Sequence, residues 1–323
     1  MAQMAVSKFA VIPYLSNTDQ SGRFLCTLCF YDKCWHAWID VADRLIKAQM
    51  WPAECPYFGT APEAPSDICF HFLDLIAQRA CFSEIGKPFI GLQDDIYNLS
   101  ASLAKIRWLY ETKATIGSGV SRMAATEIEY IFSICRSIFD LLQEIVFKLW
   151  ERVTPRQPTK AKKTLKTTYS DTLLFKGLPS DTEKLIQRFA MPSQLADCYV
   201  RSTGFFMALR KFRDNVVHRG SQIQLIFEGD DGFLIRESLV PFAALPIWRS
   251  EEKTETRLVP LFPALGYVVS ETLAVCEDFS MTIERLIDLL PPTAPGMHLF
   301  MRGYFNEVLI STLEDIKQRV HEE

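Results

Sequence analysis

The chain has 323 residues, 48% of them hydrophobic and 23% charged, with a net charge of -4. That composition fits a folded globular chain and excludes a disordered one. The negative balance gives no whole-molecule attraction for nucleic acid, so any polyanion must be met by a local basic patch.

The start, MAQMAVSKFAVIPYL, lacks a basic n-region, and Lys8 and Pro13 break its apolar run, so it does not read as a signal peptide. SKFAVIPYL and RFLCTLCFY read as strands flanking the polar turn SNTDQSG. Trp35 to Met50 reads as helical, with Trp51-Pro52 as its stop. PYFGTAPEAPSD reads as a loop whose Ser66 or Asp67 caps a helix over CFHFLDLIAQRACF. Within that helix His71, between Phe70 and Phe72, reads as a core or boundary histidine. Residues 1–90 are therefore expected to form a small N-terminal α+β region with no evident chemistry. The nine cysteines are scattered and odd in number, and a chain this size needs no staples, which predicts reduced thiols in the cytosol. Cys26, Cys29, Cys34 and His36 do offer four possible zinc ligands at close spacing. In a strand-like run, however, Cys26 and Cys29 point to opposite faces, so buried thiols are the expectation and zinc the weaker alternative.

From Gly91 the pattern is helical. Leu92, Ile96, Leu99, Leu103, Ile106 and Leu109 mark one apolar stripe, and Ile128 to Leu149 mark a second and longer one. The loop ATIGSGVS between them reads as a helix–helix turn, since it lacks the lysine of a phosphate-binding loop. Two such helices joined by a short turn should pack antiparallel. Ile131 to Trp150 is the most apolar long stretch, but Arg136, Asp140, Glu144 and Lys148 recur in it at helical spacing. It is read as amphipathic, and no membrane partner is expected.

Residues 152–170 form a polar, basic loop in which Lys160, Lys162 and Lys163 are candidates to track an RNA backbone. A helix is predicted from Gln194 to His218, ending at Gly220. Residues 222–238 read as a β-hairpin turning at Gly229 to Gly232, which makes Asp230 and Asp231 turn residues in preference to a metal pair. Leu265 to Ile287 mark the last long helix, stopped by Pro291-Pro292. Residues 291–323 form a tail with a short helix from Tyr304 to Val320. The fold class expected is mainly α: an antiparallel helical bundle over 91–290 with a hairpin insertion, preceded by the α+β region.

Chemistry concentrates in Arg213-Asp214-Asn215-Val216-Val217-His218. On a helical wheel Phe205, Leu209, Phe212 and Val216 make the buried stripe, while Arg210, Asp214 and His218 line one polar face at i, i+4. Arg213 lies at the flank, about 140° from His218 in a regular helix. Histidine can take or give a proton near neutral pH. A guanidinium presents a planar fork to phosphate oxygens. Asp214 or Asn215 can orient the imidazole as the third member of a triad does. Together these groups suit cleavage of RNA through its own 2′-hydroxyl, with no metal and no cofactor.

The segment LRKFRDNVVHRG resembles the HEPN domain family, whose motif is Arg, then Asn, Asp or His, then three residues and His near the end of a bundle helix. The resemblance implies Arg213 and His218 as catalytic residues, with Asp214 at the polar second position. It also implies a homodimer whose two motifs form one cleft, and a metal-independent endoribonuclease of toxin–antitoxin or anti-phage type, with RNA as substrate. An antitoxin or regulatory protein is then an expected partner, and the cytoplasm the expected place. Arg210 and Arg219 join the three lysines as candidate RNA contacts. The alternative is a non-catalytic helical module that binds protein or nucleic acid, in which His218 and Arg219 are cations favoured in the last helical turn by the helix dipole.

Overall fold

Helices account for most of the chain, and short strands rich in aromatic and aliphatic residues are interspersed among them. The computed structural model describes residues 6–15, 22–42, 44–49, 51–152, 162–221, 223, 225–239, 242–244 and 247–321. Strands β1 (Cys29–Tyr31), β2 (Trp35–Val41), β3 (Arg44–Ala48) and β4 (Cys55–Gly59) come first. Helices α1 (His71–Gln78), α2 (Gly86–Glu111), α3 (Lys113–Ile116) and α4 (Val120–Arg152) follow. Beyond the basic segment stand α5 (Tyr169–Leu173), β5 (Leu174–Phe175), β6 (Leu178–Pro179), α6 (Thr182–Phe189), α7 (Ser193–Arg201) and α8 (Thr203–Arg219). The chain then forms β7 (Phe227–Glu228), β8 (Phe233–Arg236), β9 (Leu258–Pro260), α9 (Leu261–Leu286), β10 (His298–Arg302) and α10 (Glu307–His321). The protein is thus mainly α. Among the described residues no helix is long and apolar enough to cross a membrane.

Two compact units result, each gathered from three stretches of chain. The first comprises Met1–Gln93, Leu141–Cys198 and Cys276–Phe305, and the second Asp94–Asp140, Tyr199–Val275 and Asn306–Glu323.

In the first unit five strands pair in the order β10-β4-β1-β2-β3, parallel between β1 and β4 and antiparallel elsewhere. Several expectations for this region are corrected. Trp35 to Met50 is not helical: β2 and β3 form a hairpin whose register sets Val41 opposite Arg44. Tryptophan, isoleucine and valine favour a pleated surface, and Ala42 at φ +44° takes the left-handed conformation that a two-residue hairpin turn requires. Pro56 to Gly59, expected as loop, belong to the inner strand β4, with Tyr57 and Phe58 fully buried. Its Pro56 is tolerated because pairing with β1 is confined to Phe58 and Gly59, so the missing N–H removes no rung on that side. The expected strand SKFAVIPYL is a 3-10 turn over Val6–Val11, and RFLCTLCFY is extended into a strand only at Cys29–Tyr31. The turn at residues 16–21 lies outside the described residues. Neither Ser66 nor Asp67 caps α1, which starts after Phe70 with no side-chain cap. Asp67 is buried instead, accepting from the Tyr57 hydroxyl at 2.7 Å and the Ala64 N–H at 3.1 Å. The C-terminal tail supplies β10, an edge strand that no local pattern marked.

The expected antiparallel pairing of α2 with α4 is present. Gly91 meets Leu141, Asp95 hydrogen-bonds Ser137, and Lys105 pairs with Glu127 at 3.3 Å. Positions that rise along one helix fall along the other. In the second unit α8 lays Phe206, Leu209 and Phe212 into the core, with the Phe212 ring 4.4 Å from Phe132, which in turn meets Phe242. Phe205, placed by the wheel in the buried stripe, sits at its edge against Phe139. The helix expected from Gln194 is two helices, broken at Ser202. There the Ser202 and Thr203 hydroxyls both donate to the Tyr199 carbonyl and compete with the helical ladder. The expected hairpin forms at β7 and β8, and β9 adds a third strand that was not foreseen. Helix α10 packs closely on α9: a methyl group at Gly266 would stand 2.6 Å from Thr312.

Candidate functional site

The Arg213–His218 segment occupies the last turns of α8. Burial of Phe206, Leu209 and Phe212 on one side turns the polar side outward. Arg213 and His218 are both exposed, and Asp214 and Asn215 half-buried. The helix continues through Arg219 and stops at Gly220, whose φ of +82° no β-branched residue would adopt readily. Just beyond it the Ser221 hydroxyl donates to the Glu129 carboxylate at 2.5 Å, fixing the chain as it leaves the helix.

Asp214 faces the arginines. Its carboxylate lies 3.6 Å from Arg210 Nε and 3.8 Å from Arg213 Nη1. Among the described residues no hydrogen bond or ion pair joins Asp214 or Asn215 to His218, so the orienting contact expected of a triad is not made within one copy. The physical reason is competition. Arg210 is one turn below Asp214 and brings a full positive charge to the carboxylate. What the end of the helix presents is an exposed imidazole and, separately, two guanidinium groups that share one carboxylate.

Two of the predicted RNA contacts of the basic loop, Lys162 and Lys163, are already engaged. Lys162 donates to the carbonyls of Trp150 and Glu151, the latter at 2.8 Å, and lies over the Trp150 indole. Burial holds its ammonium below the usual lysine range. Lys163 donates from Nζ to the Gln187 carbonyl at 3.1 Å and from its backbone to Phe189. Both lysines thus satisfy orphan carbonyls at helix C-termini, of α4 and of α6. Lys160 and the side chain of Arg219 lie outside the described residues.

The weaker zinc set does not gather. Cys34 Sγ and His36 Nε2 touch at 3.1 Å, but the other two thiols have other partners. Cys29 and Cys55, both free thiols, share a hydrogen bond that lowers the Cys29 thiol to about 7 and drives Cys55 up. Burial and the nearby Cys81 push Cys26 up. Cys26 and Cys34 lie outside the strands, so the pleat expected to separate Cys26 from Cys29 does not extend to Cys26.

A different set does converge, one that no motif marks. One ligand atom each of Cys69, Asp74 and His298 lie within 4.8 Å of one another, in the first unit. Cys69 stands just before α1, Asp74 in its first turn, and His298 opens β10. The backbone holds them together: Met301 N–H donates to the Ile68 carbonyl at 2.9 Å, and Leu299 N–H donates to Asp74 Oδ1 at 2.8 Å. Asp74 Oδ2 lies 3.0 Å from His298 Nδ1. Asp74 is largely covered, its side chain 14% exposed, while His298 is 63% exposed. Burial, with Asp74 and Glu277 nearby, pushes the Cys69 thiol up to about 12. Next to this group His71 bridges two carboxylates, Glu277 at 3.0 Å and Glu284 at 3.3 Å, and accounts for itself as a hydrogen-bonded boundary histidine.

Set against protein-family models, curated proteins and solved structures, the chain matches none of them. The HEPN resemblance therefore rests on the residues of α8 and their setting alone.

Proposed function

We propose that this protein is a HEPN-type, metal-independent endoribonuclease that works as a homodimer in the cytoplasm. The observation that carries the reading is the complete Arg-Asp-x3-His pattern on the exposed face of a helix whose opposite face is buried in an aromatic core. The antiparallel pairing of α2 with α4 supports the reading. In this reading His218 takes the proton of a ribose 2′-hydroxyl. The freed oxygen attacks the adjacent phosphorus, the bond to the 5′-oxygen breaks, and a 2′,3′-cyclic phosphate and a 5′-hydroxyl remain. Arg213 and Arg210, kept adjacent by Asp214, neutralise the phosphate as charge develops on it.

Two copies are needed for geometric reasons. Arg213 and His218 are about 140° apart round a regular helix, so one copy does not aim both at one phosphate. Paired helix ends bring one copy's arginines to the other's histidine, and the second His218 protonates the departing 5′-oxygen. A toxin or anti-phage role, with an antitoxin or regulatory partner over the paired ends, completes the reading.

The test is incubation of wild-type and His218→Ala protein with total RNA and tRNA in excess EDTA, reading cleavage and end groups. Cleavage by wild type alone, leaving cyclic phosphate ends, is the expected result. Undiminished cleavage by a folded, dimeric His218→Ala protein would sink the assignment. A second reading, a binding module that holds RNA or protein without cutting it, draws on the Asp214 contacts, which tie up Arg213 and leave His218 unoriented in one copy. RNA retained on wild type but never cut would favour it.

A further inference from the structure

We propose that Cys69, Asp74 and His298 bind a zinc ion, with the fourth coordination position open to solvent. The three side chains offer sulfur, oxygen and nitrogen, the donor set zinc accepts in tetrahedral sites. The thiol excludes magnesium and calcium, which take oxygen ligands. Zinc bond lengths place such donors roughly 3.3–3.7 Å apart. The three atoms already lie within 4.8 Å of one another, and the Asp74–His298 pair stands at 3.0 Å, so side-chain rotations of modest size suffice.

The surroundings favour a cation there. Glu277 adds negative charge near Cys69, and Arg79, which would oppose a cation, is spent on Glu284 at 3.0 Å. Asp74 can give Oδ2 to the metal while Oδ1 keeps the Leu299 N–H, the kind of supporting hydrogen bond that aims a ligand. Tethering of Ile68 to Met301 fixes the loop that carries Cys69 to the strand that carries His298. A surface ion pair accounts for Asp74 and His298 but not for the thiol beside them. As the sulfur–zinc bond forms, the Cys69 proton passes to solvent. The exposure of His298 leaves room for water or a small anion as fourth ligand. This site is independent of the RNA-cleaving reading, whose assay runs in EDTA.

Full-length protein, stripped with chelator and dialysed against zinc, should retain one equivalent by elemental mass spectrometry. With cobalt(II) in place of zinc it should show a thiolate-to-metal charge-transfer band and the intense visible bands of tetrahedral geometry. Cys69→Ser should lose the charge-transfer band, and His298→Gln should weaken binding by at least about tenfold. Cys34→Ser, which removes the thiol beside His36, should change neither. Wild-type protein that retains no zinc, or Cys69→Ser that binds cobalt with an unchanged spectrum, overturns the proposal. Should either site variant fail to fold, alkylation decides on the wild type. Zinc should protect Cys69 from iodoacetamide in peptide mapping, and equal labelling with and without zinc refutes the site.

Discussion

His218 and His298 are both exposed, yet they are held in opposite ways. His298 leans on Asp74, Asp74 accepts the Leu299 N–H, and β10 is stitched to the start of α1. His218 projects from the end of α8, and the carboxylate one turn below it is turned to two arginines. The first arrangement is pre-organised and tolerates little change. In the proposed reading the second arrangement is completed only when a second copy brings its own helix end to it. The lesson is that an acidic neighbour at the right helical spacing does not orient a histidine when a stronger partner competes for it.

The contrast is broken most severely at His218 itself. Replacing it with alanine should cut RNA cleavage by roughly 10²–10⁴-fold, the usual contribution of a positioned acid–base group. Urea unfolding should move by no more than about 0.5 kcal/mol, as for other exposed positions. A large loss of stability would mean that the side chain is structural. On the buried face of the same helix the outcome should reverse. Phe212 is fully covered and in tilted ring contact with Phe132, so Phe212→Ala should cost about 3–5 kcal/mol of unfolding free energy. A cost below about 1 kcal/mol would contradict the packing of α8.

Those two residues also show what was legible in the sequence. Phe212 and His218 lie on one helix, and local periodicity alone separated a buried side from a polar side. The same local signal gave the long helices, the β7–β8 hairpin and the position of the α8 site. It failed where long-range pairing decides. Trp35 to Val41 alternates weakly enough to pass for a helix, and only its pairing with β1 and β3 makes it a strand. β4 carries a proline that reads as loop until β10 pairs with it. Cys69, Asp74 and His298 had no motif, because 224 residues separate Asp74 from His298. Lys162 and Lys163 looked like a basic patch because composition cannot show that their ammonium groups are spent on helix carbonyls.

The held histidine makes a prediction of intermediate size. Asp74→Ala strips partners from the Leu299 N–H and from His298, so unfolding in EDTA should be easier by about 1.5–3 kcal/mol, the range for hydrogen bonds to a charged group. A change under about 0.5 kcal/mol would show that the junction of α1 and β10 does not depend on this carboxylate.

Asp214→Asn should have a small effect overall, and it discriminates most finely. Its contacts at 3.6 and 3.8 Å are exposed ion pairs, which contribute about 0–1 kcal/mol. Stability should therefore stay within about 1 kcal/mol of wild type. If Asp214 only keeps Arg210 and Arg213 adjacent, the variant should bind RNA less tightly, with the pH profile of cleavage unmoved. If the carboxylate turns to His218 once two copies close on RNA, its loss removes a negative neighbour from the imidazole. The limb of the profile that reports His218 should then shift to lower pH, because an imidazolium without an anion beside it gives up its proton more easily. An unmoved limb with weakened binding assigns Asp214 to the arginines, and a shifted limb assigns it to the histidine in the closed state.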